Sequence, residues 1–379
     1  MSIIKVDAVV NESGGATATI NGYTPTESNM AGRNRIINGD MRIDQRNAGA
    51  SVSMTASSPY ILDRWRFWAN GDSGSASYTV QQSSTAPAGF TNSCLITQTA
   101  SFSPTGSQYN IFAQYIEGNN VADLGWGTAN AKTVTLSFWV RSSLTGTFGG
   151  VVSNASQARS YPFTYTISSA DTWEYKTITV PGDTSGTWLT TNGIGLEVYW
   201  QLGVGSSYLG TAGSWAGAVY LGATGATQIT ATNGATLYIT GVQLEAGSVA
   251  TPFERRLYGQ ELALCQRYCW VSYTTNGNGG PLGTGSAYNA ALTQVALQLP
   301  VPMRTTPSAT TVPNGSSVWC QSYVGASGTT TNTAPSIQSD QNNYQNLRLA
   351  IDGLSGMTAG QATWTFTVAN GKLILSAEL

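Results

Sequence analysis

The stretch Gly241-Val-Gln-Leu-Glu-Ala-Gly-Ser-Val-Ala-Thr-Pro-Phe-Glu-Arg-Arg256, with Leu257 to Trp270 behind it, decides how the chain is divided. Val242 and Leu244 alternate with Gln243 and Glu245 as on a half-buried strand, and Gly247 and Pro252 break that strand. Thr251-Pro-Phe-Glu254 then has the form of a capping box: a Thr hydroxyl for an orphan amide, Pro at the first helical position and Glu three residues past the cap. The spacing predicts a helical junction over 251–270. Tyr258, Leu262, Cys265 and Cys269 form one apolar stripe along it, and Leu257, Leu264 and Tyr268 a neighbouring one. A helix of roughly four turns does not hold alone, so both stripes need cover. Either the flanking domains supply it, or the stripe of Tyr258, Leu262, Cys265 and Cys269 meets its own copies on an oligomer axis.

Upstream, from Arg35, short strand-like runs follow one another between Gly, Asn, Asp and Pro, from Arg35–Ile37 through Thr133–Arg141 and Ile194–Gln201 to Val242–Leu244. Their number and turn chemistry predict an all-β, antiparallel jelly-roll sandwich over 34–250. Two runs orient themselves. Val134, Leu136, Phe138 and Val140 alternate with Thr135, Ser137, Trp139 and Arg141; Ile194, Leu196, Val198, Trp200 and Leu202 alternate with Glu197, Tyr199 and Gln201. Downstream, residues 271–379 read as a smaller C-terminal β domain in which Asn276–Gly285 and Gly325–Asn346 are long polar loops. Residues 1–33 have little core of their own and read as a separate N-terminal segment, either a tail or a peptide ordered by docking.

Composition narrows the function classes. Only 9% of the 379 residues are charged, against roughly 25% in an average globular chain, so neutral Thr, Ser, Asn and Gly must make up the surface. The chain is not greasy, since its mean hydropathy is −0.09. Its 11 Trp, 18 Tyr and 9 Phe are enough to build cores, which argues against disorder. A net charge of −2 with no Lys/Arg cluster argues against nucleic acid as a partner. There is no signal-peptide pattern and no apolar run of about 18 residues, so the expectation is folding in a cytoplasm without membrane insertion. The four cysteines fit free, buried thiols, and without histidine Cys265 and Cys269 are not assigned to zinc.

Zero histidines also remove the Ser-His-Asp and Cys-His nucleophile systems, and no Gly-rich run carries a nucleotide fingerprint, so no cofactor is expected. Paired carboxylates could still cleave a glycosidic bond, and Asp40, Asp44, Glu117, Asp123, Asp171 and Glu197 are available, but no spacing pairs them. Aromatics speak for binding instead, because sugar C–H faces stack on rings while sugar hydroxyls need polar partners. Trp139, Arg141, Glu197, Tyr199 and Gln201 supply those types and are expected to share one glycan-binding face, unless a loop or a neighbouring subunit covers it. Tyr288, Tyr323 and Tyr344, beside the C-terminal loops, form the competing candidate site.

The run from Gly241 to Arg256, continuing into Tyr258-Gly-Gln-Glu-Leu-Ala-Leu-Cys-Gln-Arg-Tyr268, resembles a junction of bacteriophage tail-fibre and related virion proteins. Asn34-Arg-Ile-Ile-Asn-Gly-Asp-Met41, Asp63-Arg-Trp65, Pro300-Val-Pro-Met-Arg304 with Pro307, and Ala377-Glu-Leu379 add to the resemblance. It implies a virion fibre or spike protein: a homotrimer, attached to other tail or head proteins by its N-terminus, binding host cell-surface polysaccharide without cleaving it. The alternatives are a glycan-degrading tail enzyme and a purely structural decoration protein. The sandwich also resembles a carbohydrate-binding jelly-roll family whose structural calcium is held by an Asn-Gly-Asp-like opening motif and by acidic residues before the last strand. Asn38-Gly-Asp40 matches the first half, but Thr240-Gly241 stands where those acids would be. Asp40 is therefore left between calcium ligand and turn cap, and no metal is assigned.

Overall fold

The computed structural model describes residues 32–54, 59–70, 77–272, 279–312, 318–325, 327–338 and 344–379. The N-terminal segment 1–33, expected to anchor the chain, lies almost wholly outside them. The chain divides into two compact units, Met1–Arg256 and Leu257–Leu379.

The first unit is a jelly-roll β-sandwich. Its larger strands are β1 (Val52–Met54), β2 (Trp65–Asn70), β3 (Ser77–Ser83), β4 (Ser93–Ala100), β5 (Tyr109–Glu117), β6 (Val134–Ser142), β7 (Gly146–Ser153), β8 (Ser160–Ile167), β9 (Glu174–Val180) and β10 (Ile194–Val204). The two-residue strands β11 (Leu209–Gly210) and β12 (Gly222–Ala223) follow, then β13 (Thr236–Ala246). One sheet has the order β1-β3-β4-β13-β6-β9 and the other β2-β5-β10-β7-β8, and all pairings within the two are antiparallel. Period-2 alternation sends Leu136, Phe138 and Val140 of β6, and Leu196, Val198, Trp200 and Leu202 of β10, into the same core. Trp200 packs at 5.7 Å from Trp65 within its own sheet and at 5.4 Å from Phe138 of the facing sheet. Each such aromatic contributes about 2–3 kcal/mol of burial, so these rings hold the two layers together.

The run read at Val242–Leu244 is the second half of β13, which carries a bulge: pairing with β6 shifts register between Thr240 and Gln243. Gly241 sits there at φ 61, in the left-handed region that glycine tolerates. Arg35–Ile37, expected as a strand, is instead irregular and laced to β13, with the Arg35 amide donating to Leu244 O at 2.9 Å and Asn34 Nδ2 to Val242 O at 3.0 Å.

Thr251-Pro-Phe-Glu254 is not a helix cap. The Thr251 hydroxyl donates to Glu245 Oε2 at 2.6 Å, and the Glu254 amide donates to Gln243 Oε1 at 2.7 Å. The Glu254 carboxylate accepts the amides of Gly32 at 2.9 Å and Asn34 at 2.7 Å. These long-range partners hold 251–256 extended, so helix α1 spans only Tyr258–Gln266, with Leu257 as its N-cap residue. Local capping chemistry was outcompeted by ties to the sandwich.

The second unit carries α1 and β14 (Cys269–Val271), β15 (Pro281–Ala287), β16 (Thr293–Gln298), β17 (Ser308–Val312), β18 (Cys320–Val324), β19 (Ser327–Thr331), β20 (Ser336–Ile337), β21 (Asn346–Ile351), β22 (Ala362–Thr367) and β23 (Lys372–Ser376). They form a sheet β14-β23-β17 and a sheet β19-β18-β22-β15-β16-β21-β20 around Val295, Trp319, Leu349, Leu373 and Leu375. The expected loops at Asn276–Gly285 and Gly325–Asn346 thus contain strands. A Cβ at Gly285 would lie 1.9 Å from Gln294 O, so glycine there permits close strand approach. Of the stripe proposed for an oligomer axis, Cys265 and Cys269 are buried, Leu262 is half-buried and Tyr258 is exposed. The two cysteines therefore cannot meet another copy: Cys269 is a strand residue paired with Ser376 of β23.

Candidate functional site

A groove on the sandwich, about 590 Å³, is lined by Phe90, Trp139, Tyr175, Gly241, Ala250, Thr251, Pro252, Phe253 and Arg255. Its walls come from three places. Trp139 on β6 and Tyr175 on β9 are cross-strand partners on the outer side of their sheet, with ring centroids 5.4 Å apart. Phe253 and Arg255 belong to the extended exit strap, and Phe90 to the loop before β4. Phe90 and Phe253 meet edge to face at 5.2 Å, and the Arg255 guanidinium lies 4.7 Å from the Phe90 ring centre and 5.8 Å from that of Phe253. The floor is the β13 bulge, where a Cβ at Gly241 would come within 2.7 Å of Phe90 and 3.1 Å of Trp139. A side chain there would fill the groove.

The alternation had suggested one shared face for Trp139, Arg141, Glu197, Tyr199 and Gln201; the fold separates them. Trp139 and Arg141 lie outside the six-stranded sheet, and Glu197, Tyr199 and Gln201 outside the five-stranded one. Both sets do face away from the core, but only the first is open. Arg141, two residues along β6 from Trp139, pairs with Asp171 at 3.2 Å and lies over Tyr238 at 5.0 Å. Glu197, Tyr199 and Gln201 are buried. Gln157, from the β7–β8 turn, donates to the Tyr199 hydroxyl at 3.2 Å, and that hydroxyl donates to Glu197. The amide of Ala223 donates to Gln201 Oε1 at 2.9 Å. Arg66 lies over Trp68 and Tyr115, at 5.6 and 5.2 Å. Burial pushes the Glu197 carboxyl well above its ordinary range, against the opposing pull of Gln157 and Arg66. This face is filled by the chain's own side chains.

The other carboxylates weighed for hydrolysis are dispersed and individually occupied. Asp123 pairs with Arg35 at 2.7 Å, Asp171 with Arg141, and Glu117 accepts from Asn119 at 2.8 Å; Asp44 receives the amides of Asn47 and Gly49. Asp40 is ion-paired with Arg42, and no cluster of three or more metal-ligating side chains occurs among the described residues. The groove lining contains no carboxylate. In the second unit Tyr288 and Tyr323 are exposed, whereas Tyr344 packs against the core.

Of the residues that line the groove, sequence reasoning had singled out Trp139 but not Phe90, Tyr175, Phe253 or Arg255. Phe253 and Arg255 stood inside the Gly241–Arg256 stretch but were assigned to a helix start. Tyr175 could have been found by pairing Glu174–Val180 with Val134–Ser142. Nothing local marks Phe90.

No protein-family model matches the chain, and no curated protein matches it. Among solved structures it is similar to the enzymatically active domain of bacteriophage CBA120 tailspike protein 4, at 12% identity and TM-score 0.29, over 56% of this chain and 21% of that one. It is also similar to a CBM4 structure, at 17% identity and TM-score 0.31, over 55% and 97%. A third is the family 11 carbohydrate-binding module of Clostridium thermocellum in complex with a β-1,3-1,4-mixed-linked tetrasaccharide, at 11% identity and TM-score 0.28, over 52% and 98%. The chain thus spans about a fifth of the tailspike structure. At these identities the likeness concerns the all-β architecture and says nothing of a ligand.

Proposed function

We propose that the chain is a non-catalytic glycan-binding protein of a phage virion fibre or spike, and that the groove of Phe90, Trp139, Tyr175, Phe253 and Arg255 is its saccharide site. The groove itself carries the reading. It presents aromatic rings for the C–H faces of pyranose units, a guanidinium that can donate several hydrogen bonds to hydroxyls or to an acidic sugar, and no carboxylate to act on a glycosidic bond. The virion part of the reading is supported by the residues of the Gly241–Arg256 junction. It includes assembly as a homotrimer, attachment through residues 1–33, synthesis in the host cytoplasm and adsorption to host surface polysaccharide.

The test is native affinity electrophoresis of the full chain in gels containing polysaccharide extracted from the host surface. Wild type is expected to be retarded without releasing reducing ends. Trp139→Ala is expected to bind about tenfold more weakly, the size of effect a stacked ring confers, with an unchanged melting temperature. Release of reducing ends would replace this reading with the glycan-degrading one. Equal retardation of the variant would remove the groove from the site.

A further inference from the structure

Strand β22 is built inside out. Thr363, Thr365 and Thr367 point into the second unit and are 4%, 0% and 2% exposed, while Trp364 between them is 57% exposed. Its neighbour β18 repeats the pattern, with Ser322 buried and Tyr323 37% exposed. A strand with one solvated face normally does the reverse. The buried hydroxyls are paired: Thr293 and Thr363 oxygens lie 2.6 Å apart, Ser322 and Thr365 oxygens 3.1 Å apart, and the Gly280 amide donates to Thr367 Oγ1 at 2.8 Å. The fold therefore satisfies polar groups inside while its large aromatics stand outside.

The register fixes what surrounds the rings. Tyr323 is paired with Trp364 and Gln321 with Phe366, while Thr284 of β15 opposes Trp364 from the other side. Phe366 lies 5.0 Å from Trp364 and 6.1 Å from Tyr323, making a continuous three-ring surface. Gly328 of β19 lets this surface stay low, because a Cβ there would come 2.5 Å from Gln321 Nε2 and 3.0 Å from the Tyr323 ring. No leucine, isoleucine, valine or methionine shares this side of β15, β18 and β22. Aromatic rings are enriched at interfaces between copies as well, but such interfaces also draw on Met and Arg, and β15, β18 and β22 contain neither. Rings bordered by Gln and Thr, with no charge among them, instead match a neutral saccharide, which offers an apolar C–H face and a rim of hydroxyls that both donate and accept.

We propose that Trp364, Phe366 and Tyr323, with Gln321 and Thr284 at their border, form a second saccharide-binding surface that takes the faces of neutral pyranose units in a polysaccharide chain. It lies in a different unit from the groove and stands whether or not the groove binds sugar.

The full chain would be run in native gels carrying β-1,4-galactan, mixed-linkage β-glucan or mannan, in a Trp139→Ala background that disables the groove. Retardation in at least one gel is expected. It should weaken about tenfold on adding Trp364→Ala and largely survive Trp364→Tyr, which keeps a ring. Three results overturn the proposal. One is no retardation in any of these gels, and another is retardation that Trp364→Ala leaves unchanged. The third is a light-scattering mass that falls on Trp364→Ala or Trp364→Tyr, which assigns the surface to contact between copies. Because Trp364 is largely exposed, both variants are expected to melt like the parent, and the melt is measured alongside.

Discussion

The two outer faces of the sandwich began from the same sequence pattern and ended in opposite states. On β6 the outward Trp139 stands beside Tyr175 over an open groove; on β10 the outward Glu197 and Tyr199 are sealed beneath Gln157, Trp68 and Arg66. Alternation fixes which side of a sheet a residue takes, because successive Cβ atoms point oppositely. It carries no information about what lies over that side. Cover comes from groups distant in sequence: the β7–β8 turn and the β2 side chains Arg66 and Trp68 close one face, whereas the β13 bulge and the strap of Phe253 and Arg255 leave the other a trough.

The sharpest way to break this comparison is to empty the sealed face. Tyr199→Ala removes a buried ring and the hydroxyl that bridges Gln157 and Glu197, and is expected to cost about 3 kcal/mol in chemical denaturation. The folded fraction should still bind polysaccharide like wild type. A loss of binding with no loss of stability would mean that this face, not the groove, meets the ligand.

The next effect is at Gly241. Gly241→Ala sets a Cβ against Phe90 and Trp139 at a positive φ, which costs about 1–2 kcal/mol. Binding should fall more than stability does, since the added atom enters the groove. A variant that binds normally would show that the floor of the groove is not used.

The smallest effect sharpens the electrostatic side of the contrast. The Glu197 carboxyl has a raised pKa in the folded state, so the folded chain holds a proton that the unfolded chain releases above about 4.5. Stability from this group is present below that pH and is lost as pH rises through the folded-state value. Glu197→Gln mimics the protonated form, so it should flatten the pH profile of the melting temperature and raise that temperature slightly near pH 8. An unchanged profile would mean that Glu197 is already ionised in the folded protein.

These variants also mark what could be read from residues alone. The all-β sandwich, the inward sets of β6 and β10 and the outward side of Trp139 followed from period and turn chemistry, which are local properties. The failures share one cause. Thr251-Pro-Phe-Glu254 has every local feature of a helix start, yet Glu245, Gln243 and the amides of Gly32 and Asn34 claim its polar groups from across the fold. Glu197 and Trp139 were placed together because the pattern does not say which sheet a strand joins. β22 lies in the region read as a β domain, but that its threonines are the buried side follows only from partners on β16 and β18.

The ties around Glu254 have a mechanical meaning. Arg256 donates to the carbonyls of Asn34 and Ile36, Arg33 donates to Thr251 at 3.0 Å, and Glu254 holds Gly32 and Asn34, so the chain enters and leaves the sandwich at one knot. A pull applied at Gly32 and at Arg256 is resisted by these short cross-links, loaded side by side, before any strand of the two sheets feels it. The sandwich therefore hangs from the line of force as a closed loop, and tension along the chain falls on the strap that carries Phe253 and Arg255 before it reaches the two sheets.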